Sequence, residues 1–307
     1  MRPPPSDVLA RVLSALEVYE LGVNQLGEPA FLLDTAIPES LAELYQTFDG
    51  GTMFHDELVL LPSASISLQG ERFFVGEAAG DELYVEPSGR VIRLEKDTGD
   101  EIVEATAIDR WLHGFVDAAE LLYERDGEFR DGVFTEAGDI ENGVEMKRQQ
   151  CFIKRDPQAP GPRWRLARLL ATTGKWSEAR DHLEKVVVFA PGFAWAWFDL
   201  AKISERCGEL TGAIDEMEEG ARVAAGADHQ GFFLAHLARL SASAGDDAAR
   251  SQAAAKAIAA DPDLVENLLA GADAELAAGA DASALQALLA AIAPKDLRVI
   301  DLGRRLF

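Results

Sequence analysis

With 307 residues, 48% of them apolar, the chain has room for two packed cores, yet no uninterrupted apolar run reaches the roughly 18 residues of a membrane span. The formal net charge of −24 is uneven, residues 1–126 holding 8 Lys+Arg against 25 Asp+Glu and the remainder 21 against 28. That sign argues against nucleic acid or anionic membrane as partner and for either a basic partner or simple solubility. Cys151 and Cys207 stand in no metal spacing, and the start Met-Arg-Pro-Pro-Pro-Ser-Asp lacks the apolar centre of a signal peptide, so a reducing cytoplasm is expected.

Residues 6–20 read as an amphipathic helix through Val8, Leu9, Val12, Leu13 and Leu16. Pro38 opens a second helix, with Leu41, Leu44, Tyr45 and Phe48 as its buried stripe and Asp49-Gly50-Gly51 as its end. Short strands follow at Leu58–Leu61, Ile66–Leu68, Arg72–Val75, Leu83–Glu86 and Val91–Leu94. Gly80-Asp81, Pro87-Ser88-Gly89 and Gly99-Asp100 supply the turns of antiparallel hairpins. Thr106-x-x-Asp109 has the form of a capping box, and Ile108, Trp111, Leu112, Phe115, Val116, Ala119 and Leu122 give the third helix a broad apolar face. Helices on either side of a meander predict an α+β domain over 1–125. The Gly- and acid-rich stretch 126–141 reads as a linker; its Asp126–Asp131 portion lacks the acceptor and glycine of a calcium loop.

The strings Ile37-Pro38, Asp49-Gly50-Gly51, Phe74-Val75-Gly76 and Gly80-Asp81, then the turn at Gly89 and the Trp111 helix, make residues 30–123 resemble the SUKH superfamily. That resemblance implies a non-catalytic role. Bacterial members are mostly immunity proteins that bind and neutralise toxins, and eukaryotic relatives are regulatory scaffolds. Asp49, Asp81 and Glu82, near turns of the acidic domain, are the candidate contacts to a basic toxin.

From 142 to 307 the period changes. Residues 142–155 form a lone helix before Pro157, and Pro157 and Pro191 then lie 34 residues apart, with Pro262 closing a later unit. Within the unit 160–193, Leu166, Ala167, Leu169 and Leu170 mark a first helix, Gly174 a break, and Trp176, Ala179, Leu183, Val186 and Val187 a second. Ala201, Gly208, Ala213 and Met217 repeat the pattern, as do Ala238, Gly245, Ala254 and Ala257, except that Arg250 stands where alanine is expected. Residues 281–293 and 295–306 read as the C-terminal closure. With Trp197, Leu200, Ala201, Gly208 and Ala213 as the best-fitting set, 160–262 resembles tetratricopeptide repeats, more weakly to 293. The resemblance implies an all-α solenoid that binds another polypeptide on the concave side, lined by the first helix of each pair.

On that side the register places Trp164 and Arg168, then Trp195, Phe198 and Lys202, then Phe232 and Arg239, with Arg206 extending the basic column. Two readings stay open: the aromatics are core and the bases merely solvated, or together they take an acidic peptide. No nucleophile–base set, phosphate loop or metal spacing emerges, Gly174-Lys175 being a helix–helix turn and His55-Asp56-Glu57 a solvated one. His229 and His236, seven residues apart, lack an intervening carboxylate or cysteine ligand. No cofactor, metal or catalytic residue is expected. The chain is read as a protein-binding protein, with toxin neutralisation ahead of an adaptor or scaffold role on resemblance alone.

Overall fold

Ser6 starts the first helix: its hydroxyl accepts the Leu9 N–H at 3.3 Å, and α1 runs Asp7–Leu16 with Leu9, Val12 and Leu16 buried. The computed structural model describes residues 6–30, 37–96 and 99–306. The chain divides into two compact units, residues 1–175 with 188–190 and residues 176–187 with 191–307.

In the first unit, β1 (Asn24–Leu26) precedes α2 (Glu39–Thr47), and then come β2 (Gly51–Met53), β3 (Leu58–Leu60), β4 (Ser67–Gln69), β5 (Arg72–Ala78), β6 (Asp81–Val85), β7 (Val91–Leu94) and β8 (Glu101–Ala105). The described pairings are antiparallel, in the order β1-β2-β3-β5-β6-β7-β8, with β4 also on β5. The meander is as the turn residues predicted, but β1, β2 and β8 are additions. The first two are three residues long, too short for alternation to reveal.

Helix α3 (Ile108–Ala119) packs on α1, α2 and the next helix, α4 (Asn142–Arg155). Its expected capping box does not form. Ala107 is the N-cap, and the Thr106 N–H and hydroxyl instead donate to the buried Asp156 carboxylate at 2.6 and 2.8 Å. A charged acceptor fifty residues away offers Thr106 a stronger bond than its own helix does.

Residues 124–141 are packed turns rather than a free tether. The bridges Tyr123↔Phe129 and Phe134↔Ile140 close two small loops, and Val133 is buried between them. Beyond α4, α5 (Pro160–Thr172) also belongs to this unit and lies against β8, so the division between units falls near 175. Gly161 permits that approach, because a methyl group there would sit 2.9 Å from both Glu104 Oε1 and Ile102 Cγ2. At the same contact Arg165 donates to the two oxygens of Glu104 at 2.8 and 2.5 Å, and Gln149 accepts from its Nε at 3.2 Å.

The second unit carries α6 (Trp176–Phe189), whose last residues fall at the division, then α7 (Ala194–Arg206), α8 (Leu210–Val223), α9 (Gln230–Ser243), α10 (Asp247–Ala260), α11 (Leu264–Ala277), α12 (Ser283–Ile292) and α13 (Leu297–Leu306). Gly174, Gly208, Gly245 and Gly279 follow α5, α7, α9 and α11 at φ 77, 82, 76 and 75°. After each, the next N–H returns to a carbonyl five residues back, as in Lys175→Leu170 at 3.0 Å and Glu209→Ser204 at 2.9 Å. The recurring left-handed stop defines four first helices, including α11, which the spacing of prolines had not singled out. Arg250 breaks the small-residue pattern of α10 for a reason visible here: its guanidinium donates to the Ala291 carbonyl at 3.0 Å, satisfying the end of α12, which packs against α9 and α10.

Candidate protein-binding face of the repeats

Trp195 and Phe198 lie one turn apart on α7, while His229 is the N-cap of α9 and Phe232, Phe233 and His236 lie on its first turns. Helix periodicity brings them into one aromatic layer. Phe198 stacks on Phe233 with centroids 5.0 Å apart and meets Phe232 at 5.6 Å and His236 edge-on at 4.8 Å. Trp195 contacts His229 at 5.0 Å and Phe233 edge-on at 4.9 Å. Phe198 and Phe233 are buried, whereas Trp195 and Phe232 keep part of their rings at the surface. The aromatics therefore divide: Phe198 and Phe233 are core, and Trp195 and Phe232 are only partly covered.

The cations divide as well. Lys202 is exposed, with its Nζ 5.4 Å from the Phe198 ring, and Arg206 is exposed with its guanidinium 5.9 Å from the Trp176 ring. Arg239, by contrast, is bound bidentately by Glu205 at 2.6 Å through both nitrogens, which holds the Glu205 carboxyl below its ordinary value. Burial, then the charges of Arg239 and Lys202, push His236 down to about 3, so its ring is neutral at physiological pH. The sequence reading raised His229 and His236 as a spaced pair; they share this face as ring-packing partners. Phe233 was missed, because its burial depends on α7 lying across it.

Trp164 and Arg168 belong to the other unit. There Trp164 is buried and the exposed Arg168 guanidinium lies 4.9 Å over its ring. The three acidic candidates of the sheet have internal partners. Asp49 accepts the Ser63 N–H at 2.6 Å, and Asp81 accepts Arg93 Nε at 2.7 Å and the Lys96 N–H at 3.2 Å. Glu82 accepts the Tyr84 hydroxyl at 2.6 Å, and burial together with that bond raises the phenol to about 12. Elsewhere on the second unit, α8, α9 and α10 bound an open groove of about 770 Å³ in which Asp215, Glu218 and Glu219 are mixed with Arg222 and Lys256, so no one charge dominates.

Residues 160–203 match the family model described as Tetratricopeptide repeat. Over those residues the chain is similar to the tetratricopeptide repeat family. That match spans α5 to the last turn of α7, and the glycine stops carry the same helix-pair pattern through α11. No match to a curated protein was found. Solved structures similar to the chain include MamA, at 18% identity and TM-score 0.38, covering 53% of this chain and 90% of that one. YrrB, titled a TPR protein with an unusual peptide-binding site, aligns at 12% identity and TM-score 0.36, covering 52% and 81%. A thermophilic TPR protein of Thermus thermophilus, TTC0263, aligns at 23% and 0.35, covering 54% and 88%. Among the described residues, no helix is long and apolar enough to cross a membrane.

Proposed function

We propose that the protein is a non-catalytic cytoplasmic adaptor whose tetratricopeptide repeats capture a partner polypeptide on the α7–α9 face. The observation that carries this is the joining of partly exposed Trp195 and Phe232 to a buried aromatic layer with Lys202 beside it. Rings fixed by packing lose little freedom on binding, so they suit anchoring. Lys202 and Arg206 favour a segment that pairs an acidic side chain with an apolar one. Arg239 has a lesser part, since a ligand carboxylate must displace Glu205.

Selection of the full chain against a displayed random-peptide library tests the reading. Enriched peptides are expected to carry Asp or Glu beside an aromatic or branched apolar residue. Lys202→Glu with Arg206→Glu is expected to weaken them at least tenfold without changing the thermal transition. Enrichment of basic peptides, or binding indifferent to both reversals, would discard it.

Toxin neutralisation through the sheet unit is the second reading. It rests on the SUKH resemblance of 30–123, which the comparisons leave unsupported, and Asp49, Asp81 and Glu82 are already engaged within the fold. Rescue of a host expressing a toxin from a neighbouring gene would restore it to first place.

A further inference from the structure

The segment 124–141 carries an aromatic ladder that emerges from the core within an acid-rich stretch. Phe54, 1% exposed, stacks on Tyr123 with centroids 5.2 Å apart. Tyr123 stacks on Phe129 at 4.8 Å, and Phe129 meets Phe134 edge-on at 4.8 Å. Tyr123 is 4% exposed, whereas the two outer rings are exposed, Phe129 by 49% and Phe134 by 38%. The outer rings are held by more than stacking. Both loops are closed by backbone bridges, and the Tyr123 hydroxyl donates to Glu57 at 2.6 Å, which Arg148 also binds at 2.9 Å. Two neighbouring phenyl rings kept at the surface leave more apolar area in water than covering Tyr123 requires.

Their surroundings are one-sided. Residues 124–141 hold seven acidic side chains, all exposed, against Arg125 and Arg130. Arg130 is occupied internally, by Glu124 at 3.3 Å and the Glu120 carbonyl at 3.0 Å. Nucleic acid and anionic lipid are repelled by such a field. A guanidinium is suited to it on two counts, since its plane stacks on a phenyl face and its fork matches a carboxylate.

We infer that Phe129 and Phe134, with the carboxylates around them, form a docking surface for an arginine-bearing basic polypeptide segment. This surface is independent of the repeat face and takes a partner of opposite charge.

The test uses the full chain and three labelled twelve-residue peptides at physiological salt: alternating Arg-Ser, alternating Lys-Ser, and a neutral Leu-Ser control. The arginine peptide is expected to bind at least fivefold more tightly than the lysine peptide, and the neutral one not measurably. Glu128→Lys with Asp131→Lys and Glu136→Lys is expected to weaken arginine-peptide binding at least tenfold, and Phe129→Ala with Phe134→Ala about fivefold. A control of equal charge, Asp181→Lys with Asp215→Lys and Glu218→Lys, is expected to change it less than twofold, as is Lys202→Glu with Arg206→Glu. Equal losses from the two triple reversals would reduce the effect to diffuse electrostatics and overturn the proposal. Tight binding of the neutral peptide, or failure of the arginine peptide to bind, would overturn it too. Should the phenylalanine variant fail to fold, the reversals at exposed carboxylates decide the matter.

Discussion

Glu104, His113, Gln149, Asp156 and Arg163 are buried in the sheet unit, whereas the buried polar side chains among the described residues of the repeat unit are Ser204 and Ser241. The bulky core differs similarly: Tyr45, Phe48, Phe54 and Met53 are fully buried in the first unit, while alanines such as Ala201, Ala213, Ala235, Ala238 and Ala257 recur in the second, beside larger side chains such as Met217 and Phe233. One unit is held by partners far apart in sequence, each specific to its place. The other is held by close approach of helices, renewed at each repeat with small residues in corresponding positions. A change in the first should therefore remove one irreplaceable contact, and a change in the second should disturb a stack.

The largest expected effect is at Arg165. Arg165→Ala leaves Glu104, 1% exposed, without its cation and should lower the stability of the sheet unit by about 3–5 kcal/mol in denaturant titration. Glu104→Gln with Arg165→Met should recover most of that loss. Burial tends to raise the Glu104 carboxyl, but Arg165, with a smaller contribution from Arg93, holds it below its ordinary value of 4.5. The folded form therefore binds its proton less readily than the unfolded chain, and the contribution is present above about pH 4.5 and lost below it. A wild-type and an Arg165→Ala protein with the same acid limb would break the comparison.

Ala238→Leu comes next. Overpacking α9 should cost about 1–3 kcal/mol and shift the transition of the repeat unit, leaving that of the sheet unit in place. Coincident shifts of both would show that the units do not respond separately.

His236 sharpens the comparison through pH. Its folded value of about 3 lies below the ordinary 6.5, so between these limits the unfolded chain takes the proton and the native state does not. Stability should fall on acidification, by at most about 1.4 kcal/mol per pH unit below pH 6.5. His236→Gln should flatten that slope in urea titrations from pH 7 to 5; an unaltered slope would assign it elsewhere, His113 being the buried alternative, lowered by burial and then by Arg155.

The smallest effect is expected at Gly208. Gly208→Ala places a Cβ at φ 82° and should cost about 1 kcal/mol by calorimetry, as should Gly245→Ala at φ 76°. Similar values at both would mark these stops as equivalent, and a near-zero cost at one would mean that its helix ends differently in solution.

Each unit was legible to a different degree. In the repeats, Gly174, Gly208 and Gly245, the recurring alanines and the 3.6-residue stripes were readable because each signal concerns one helix and its neighbour. Arg250 looked like a fault in that pattern, and becomes intelligible only with the Ala291 carbonyl beside it. In the sheet unit the hairpins were legible from turn residues, but Thr106 looked like a cap and is a ligand of Asp156. The stretch 124–141 looked like a tether because composition reports polarity and glycine, and cannot report that Tyr123 stacks under Phe129.

Local chemistry in the chain was enough to place the β3–β7 meander, the helix stops at Gly174, Gly208 and Gly245 and the repeating character of the C-terminal half, since φ preferences and apolar spacing act over a few residues. Tertiary structure alone decided that α5 packs on β8 through Glu104 and Arg165, that Arg239 is taken by Glu205 while Lys202 faces outward, and that Asp49, Asp81 and Glu82 have internal partners. The reason is physical: whether a charge is available to a partner depends on the distance to every other charge in the folded chain, and that distance is set only when the chain has closed on itself.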